Sequence, residues 1–124
     1  MNSFAGIFKK SKKRRKSNGQ DIDSTSSLLP VILPIKNIPG KFVFYCPGCQ
    51  ANHVINTNPK NGRPHHTLSG SCYKPTIRAS VLSAGKRELN TPHCHSMITD
   101  GFISFFHDSS HFLSGRTVEL QPLQ

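Results

Sequence analysis

The sequence predicts a small, mostly β fold stabilised by zinc, with a C-terminal β-hairpin and a disordered basic N-terminal arm. Three observations carry this. Short β-prone runs separated by glycines and prolines fill the C-terminal two thirds. The stretch Tyr45–His53, YCPGCQANH, holds two cysteines two residues apart with a histidine four residues on. Finally, HSMIT and FISFF flank Asp100-Gly101, the dipeptide that a type I′ hairpin turn favours because both central residues need positive φ.

The chain is 124 residues long, which allows one domain and a tail. A globular part this small buries only about 60–65% of the surface its unfolded chain exposes, so a metal or a disulfide is the usual supplement. No stretch approaches the ~20 apolar residues of a membrane span, and MNSFAGIFKK has no secretory pattern. Four cysteines including a C-x-x-C pair are then expected in a reducing cytoplasm, where metal ligation is favoured over disulfides. A cytoplasm is therefore the expected location.

The net charge of +10 is uneven. Lys9, Lys10, Lys12, Lys13, Arg14, Arg15 and Lys16 hold seven of the sixteen cations. Residues 1–27 are read as a disordered arm, since the cations repel one another and SNGQDIDSTSS has little apolar surface to offset ordering. Residues 28–40, broken by Pro30, Pro34 and Pro39, are read as a connector or edge strand. The zinc-binding β domain spans residues 41–124. Within it KFVFYC, VINT, TIRASVLS, the hairpin and RTVEL are the expected strands, residues 58–71 a loop, and no helix is expected.

A tetrahedral zinc needs four ligands, and the knuckle supplies Cys46, Cys49 and at most His53. With Asp100-Gly101 as a two-residue loop, Thr99 faces Phe102, Ile98 faces Ile103, Ser96 faces Phe105 and Cys94 faces His107. The hairpin base therefore gathers Cys94, His95, His107, Asp108 and His111. Neighbours on a strand point to opposite faces, so Cys94 and His95 should not both reach one ion. The expected set is Cys46, Cys49, Cys94 and His111 around one Zn2+ per chain, with His95 and then His53 as alternative fourth ligands. Asp108 is expected to orient a ligand imidazole. Blander readings place Cys72 in the core, His65 and His66 in solvent, and His107 at a strand end.

CPGCQANH, KPTIRASVL, CHSMITDGFISFF and DSSHFLSGRTVEL, in this order and spacing, resemble a family of short zinc-site proteins of unknown function from tailed bacteriophages and prophages, often mislabelled ammonia monooxygenase. The resemblance covers about residues 42–121 and implies a compact zinc-site β fold whose shared positions include Cys46, Cys49, His53, Cys94, His95, Asp108 and His111. It implies no known activity, and as a location it implies the cytoplasm of an infected bacterial host, with a virion as the alternative.

Function is expected to be that of a phage-type accessory protein binding nucleic acid through the basic arm, since Lys and Arg neutralise phosphates without reading sequence. A minor virion or host-protein interaction component is the alternative, motivated by LLPVILPI, and a zinc-dependent hydrolase or nuclease is a second. Four acids beyond residue 35 leave few general bases, which weighs against an enzyme and leaves catalytic residues unassigned.

Overall fold

The computed structural model describes residues 29–123. They form a mostly β fold of eight strands in two antiparallel sheets, in each of which neighbours follow chain order. Among the described residues the helical elements are two 3₁₀ turns, Pro59–Asn61 and Arg87–Leu89.

The first sheet contains β1 (Ile32–Pro34), β2 (Lys41–Cys46) and β3 (Ala51–Asn56). Pro34 lies on the edge strand, where a missing N–H interrupts no inner ladder. Along β2 strict alternation turns Phe42, Phe44 and Cys46 inward. The Cys-Pro-Gly-Cys turn then brings the chain back, with Gln50 N–H donating to the Cys46 carbonyl at 2.8 Å.

The second sheet is a meander of β4 (Thr67–Gly70), β5 (Pro75–Ser83), β6 (Cys94–Thr99), β7 (Phe102–Phe105) and β8 (Thr117–Glu119). Asp100 and Gly101 adopt φ of 49° and 83°, so the β6–β7 register is the expected one from Thr99↔Phe102 to Ser96↔Phe105. It stops there. Cys94 does not pair with His107, because residues 106–110 fold back over the start of β6, where Ser110 N–H donates to the His93 carbonyl at 2.8 Å.

Inward residues of both sheets, among them Phe44, Ile55, Ile77, Ile98 and Ile103, build one apolar cluster that also contains Cys72. Each such large side chain contributes about 1.5–3 kcal/mol on burial. The expected loop 58–71 differs in two places. Residues 67–70 pair with β5, from Thr67↔Arg78 to Gly70↔Pro75. His66, expected in solvent, is only 8% exposed, since its N–H donates to the Asn56 carbonyl and its ring reaches β5. No helix among the described residues is long and apolar enough to cross a membrane.

Candidate active site and metal centre

Between Ile77↔Ile98 and Val81↔Ser96 the β5–β6 ladder slips, with residues 78–80 of β5 set against Met97 alone. The surplus chain must bulge, and a bulge re-aims side chains. Ala79, which alternation would turn inward, is exposed. Ser80 precedes the inward Val81 and so lies on the outer face, diagonal to His95, the partner of Leu82. His95 Nε2 is 2.9 Å from Ser80 Oγ.

The other side of that ring faces Asp108, carried by the fold-back after β7. His95 Nδ1 lies 3.3 and 3.2 Å from the two carboxylate oxygens. A carboxylate accepts, so Nδ1 carries the proton and Nε2 is left to accept from the Ser80 hydroxyl. Asp108 also lies 3.5 Å from His93 Nε2.

The imidazole is held by its main chain as well. Ser109 Oγ accepts from His95 N–H and donates to the His95 carbonyl, both at 3.0 Å. The Phe106 ring packs on the imidazole with centroids 4.4 Å apart. On the other side, His66 Nε2–H donates to the Ser80 carbonyl at 3.0 Å, tethering the bulge. The His95 and Asp108 side chains remain 29% and 55% exposed and Ser80 is half-buried, so the three stand on an open face of the sheet. A hydroxyl bonded to an imidazole that is oriented by a carboxylate is the arrangement for nucleophilic catalysis.

Behind this face lies a second cluster. The ligand atoms of Cys46, Cys49, His53 and Cys94 all fall within 4.8 Å of one another, and the four residues can hold a metal ion. They come from both sheets: Cys46 ends β2, Cys49 lies in the turn, His53 is on β3 and Cys94 begins β6.

Two features fit a cation. His53 Nε2 is buried without a hydrogen-bond partner, and an ion would satisfy it. The sulfurs, 3.9 Å apart for Cys46 and Cys94, cannot ionise together without a positive charge. The Cys94 thiol donates to Cys46 and pulls Cys46 down to about 4, while that bond and burial push Cys94 well up. Burial and the Cys46 charge push Cys49 up to about 11.

The thiols of a metal-free, unfolded chain stay protonated below about pH 8, so zinc binding coupled to folding through three sulfurs displaces about three protons. Affinity is expected to fall about 1,000-fold for each pH unit of acidification below neutrality. Calorimetric titration with zinc in buffers of different ionisation enthalpy measures the proton count, and a count of zero would contradict this cluster as the site.

Of the histidines weighed from sequence, the structure brings His53 into the cluster with the three cysteines. His95 is on the opposite strand face, with Ser80 and Asp108. His111 stands beside the cluster, its Nε2 3.4 Å from Cys94 Sγ. Leu113 N–H donates to His111 Nδ1, so Nε2 carries the hydrogen and donates to the sulfur. A Cβ at Gly48 would collide with the His111 ring, so the glycine of the knuckle makes room for it. Asp108 orients an imidazole, that of His95. The arm residues Lys9, Lys10, Lys12, Lys13, Arg14, Arg15 and Lys16 lie outside the described residues.

Ser80 escaped the sequence reading. Nothing around it has the G-x-S-x-G pattern of a strand-to-helix elbow. The signal that would have found it is the β5–β6 pairing, which sets TIRASVLS against CHSMIT; the hairpin alone measured only β6 against β7.

Comparisons with curated proteins and with solved structures return no match. A family model described as "Bacterial ubiquitination-like system serine protease (BubE)" matches residues 20–106. The matched stretch contains Ser80 and His95 and ends two residues before Asp108. It begins after the basic cluster, and its description names a bacterial system and a protease instead of a phage zinc-site protein. The expectation of a nucleic-acid-binding accessory protein, with its virion and zinc-hydrolase alternatives, is thereby overturned. The hydroxyl, imidazole and carboxylate on one face suit the description, and a match over more than two thirds of the sequence settles the relationship: the chain belongs to the BubE family of bacterial ubiquitination-like system serine proteases.

Proposed function

We propose that this chain is a serine protease in which Ser80 is the nucleophile, His95 the general base and Asp108 the residue that orients and charges-stabilises His95. One observation carries the reading: a single imidazole bonded to Ser80 Oγ at 2.9 Å through Nε2 and to Asp108 at 3.2 Å through Nδ1. Ser80 Oγ attacks the scissile carbonyl as His95 Nε2 takes the hydroxyl proton. The imidazolium, steadied by Asp108, gives that proton to the leaving amine, and an ester to Ser80 remains. A water molecule deprotonated by His95 then cleaves the ester and releases the acid. The substrate class is a peptide or isopeptide bond of a protein in a ubiquitination-like system.

The S3N cluster is read as one structural zinc with His53 as fourth ligand and His111 donating to the Cys94 thiolate. Four protein ligands leave no open position, so the reaction belongs to the other face of β6. Zinc held by these residues would fix Cys94, the residue adjacent to His95.

The test is a nitrophenyl ester assay followed on the millisecond scale. A burst of about one nitrophenolate per chain, followed by a slower steady state, is expected from an accumulating acyl-enzyme. No burst and no turnover would contradict the assignment. Asp108→Asn is expected to lower kcat/KM about 10³-fold, because an amide can hold the wrong tautomer of His95 and cannot balance its charge. Unchanged kcat/KM in that variant would remove Asp108 from the triad.

A further inference from the structure

The ladder around Ser80 leaves one strand edge open. His95 sends its N–H and C=O toward the fold-back, to Ser109 Oγ and Phe106 N–H. In an antiparallel pair, opposed residues turn their main-chain groups the same way relative to the gap between them. The partner of His95, Leu82, therefore points its N–H and C=O away from β6. The Ser80 carbonyl, two residues earlier, points to that same outer edge, where it meets His66. β4 covers β5 only as far as Thr67↔Arg78. Beyond β6, no main-chain partner among the described residues reaches Leu82.

This edge borders a cleft of about 290 Å³ between β5 and β3, the outer strand of the first sheet. Lys41, Val54, Arg63, His66 and Leu82 lie on its walls. The walls hold two cations and no acid, and neither Lys41 nor Arg63 is in an ion pair among the described residues.

We infer that substrate is bound as an added strand on the Leu82 edge of β5, with an acidic side chain of that strand placed between Lys41 and Arg63. The inference rests on the Ser80–His95–Asp108 reading and assigns it a specificity site. Strand addition supplies affinity through main-chain bonds that any sequence can make, and the charged cleft supplies the selection. Leu82 is about 7 Å along the strand from Ser80, so the residue bound opposite it lies about two positions from the bond cut.

The experiment times the labelling of Ser80 by a fluorophosphonate in the full chain, with either of two decapeptides present, one alternating Val and Glu and the other Val and Lys. The Val-Glu peptide is expected to slow labelling about tenfold more than the Val-Lys peptide, a difference of about 1.4 kcal/mol. The double variant Lys41→Glu, Arg63→Glu is expected to reverse that order; the first position is half-buried and the second exposed, so the core is not disturbed. Equal slowing by both peptides, slowing by neither, or an order unchanged in the double variant overturns the inference. Absence of any labelling of Ser80 tells against the triad instead. In that case nitrogen-15 NMR still decides: the Val-Glu peptide must shift the Leu82 amide and slow its exchange, and an unmoved Leu82 amide overturns strand addition.

Discussion

Ser80→Ala is expected to reduce turnover by about 10⁴–10⁶, with KM little changed, because the substitution removes the atom that forms the new bond and leaves the binding surface intact. His95→Ala should cost a similar factor, and the double variant scarcely more, since each triad member is useless without the other. This non-additivity separates a triad from a polar cluster, in which two losses would multiply. Ser83→Ala is a control for substitution on the same strand: Ser83 pairs with Cys94 but makes no bond to His95, and its loss should leave kcat within a few fold. Rates of the four variants on a nitrophenyl ester measure the pattern. A Ser80→Ala protein as active as the parent would end the proposal.

Loss of the metal is expected to unfold the domain. The cluster joins the end of β2 to the start of β6, a tie between two sheets that otherwise share one modest apolar core. Structural zinc supplies ~10–16 kcal/mol of apparent binding energy at neutral pH, as large as the whole ~5–15 kcal/mol that separates folded from unfolded domains. Cys46→Ser and Cys94→Ser should therefore lose both zinc and the β circular-dichroism signal, and a strong chelator should do the same to the parent. Ester turnover should vanish with the fold, because Cys94 is the residue that precedes His95 on β6. Cys72→Ala should remain folded, since Cys72 is buried in the core outside the metal cluster. His53→Ala should release zinc, whereas His111→Ala, which removes a donor to Cys94 and no ligand, should weaken it by about 10–100-fold. Zinc retained in His53→Ala and lost in His111→Ala would exchange the roles of the two histidines.

Much of this architecture was legible in the residues. Asp100-Gly101 set the β6–β7 register because a type I′ turn leaves no freedom in loop length, and KFVFYC announced β2 as a β-prone run ending at the knuckle. Strand alternation separated Cys94 from His95, which became the division between the two faces of β6. What was not legible depends on pairing between segments distant in sequence. TLSG has too few apolar residues to announce a strand, and β4 exists because β5 offers it an edge. His66 lies among prolines and glycines, yet bonds to Asn56 and Ser80 bury it. Ser80 becomes a nucleophile only through the slipped β5–β6 ladder, and no local pattern records a slip. The cations of the arm drew the functional reading toward phosphate, although charge density reports on solvation and long-range attraction and says nothing of chemistry elsewhere in the chain.

The most direct test of the central claim is intact-mass spectrometry after incubation with a fluorophosphonate, followed by peptide mapping. One adduct per chain on Ser80, formed far more slowly in His95→Ala and absent from Ser80→Ala, is the predicted result. No adduct on a folded, zinc-loaded chain, or an adduct on a different residue, would contradict the assignment of Ser80, His95 and Asp108 as the catalytic triad.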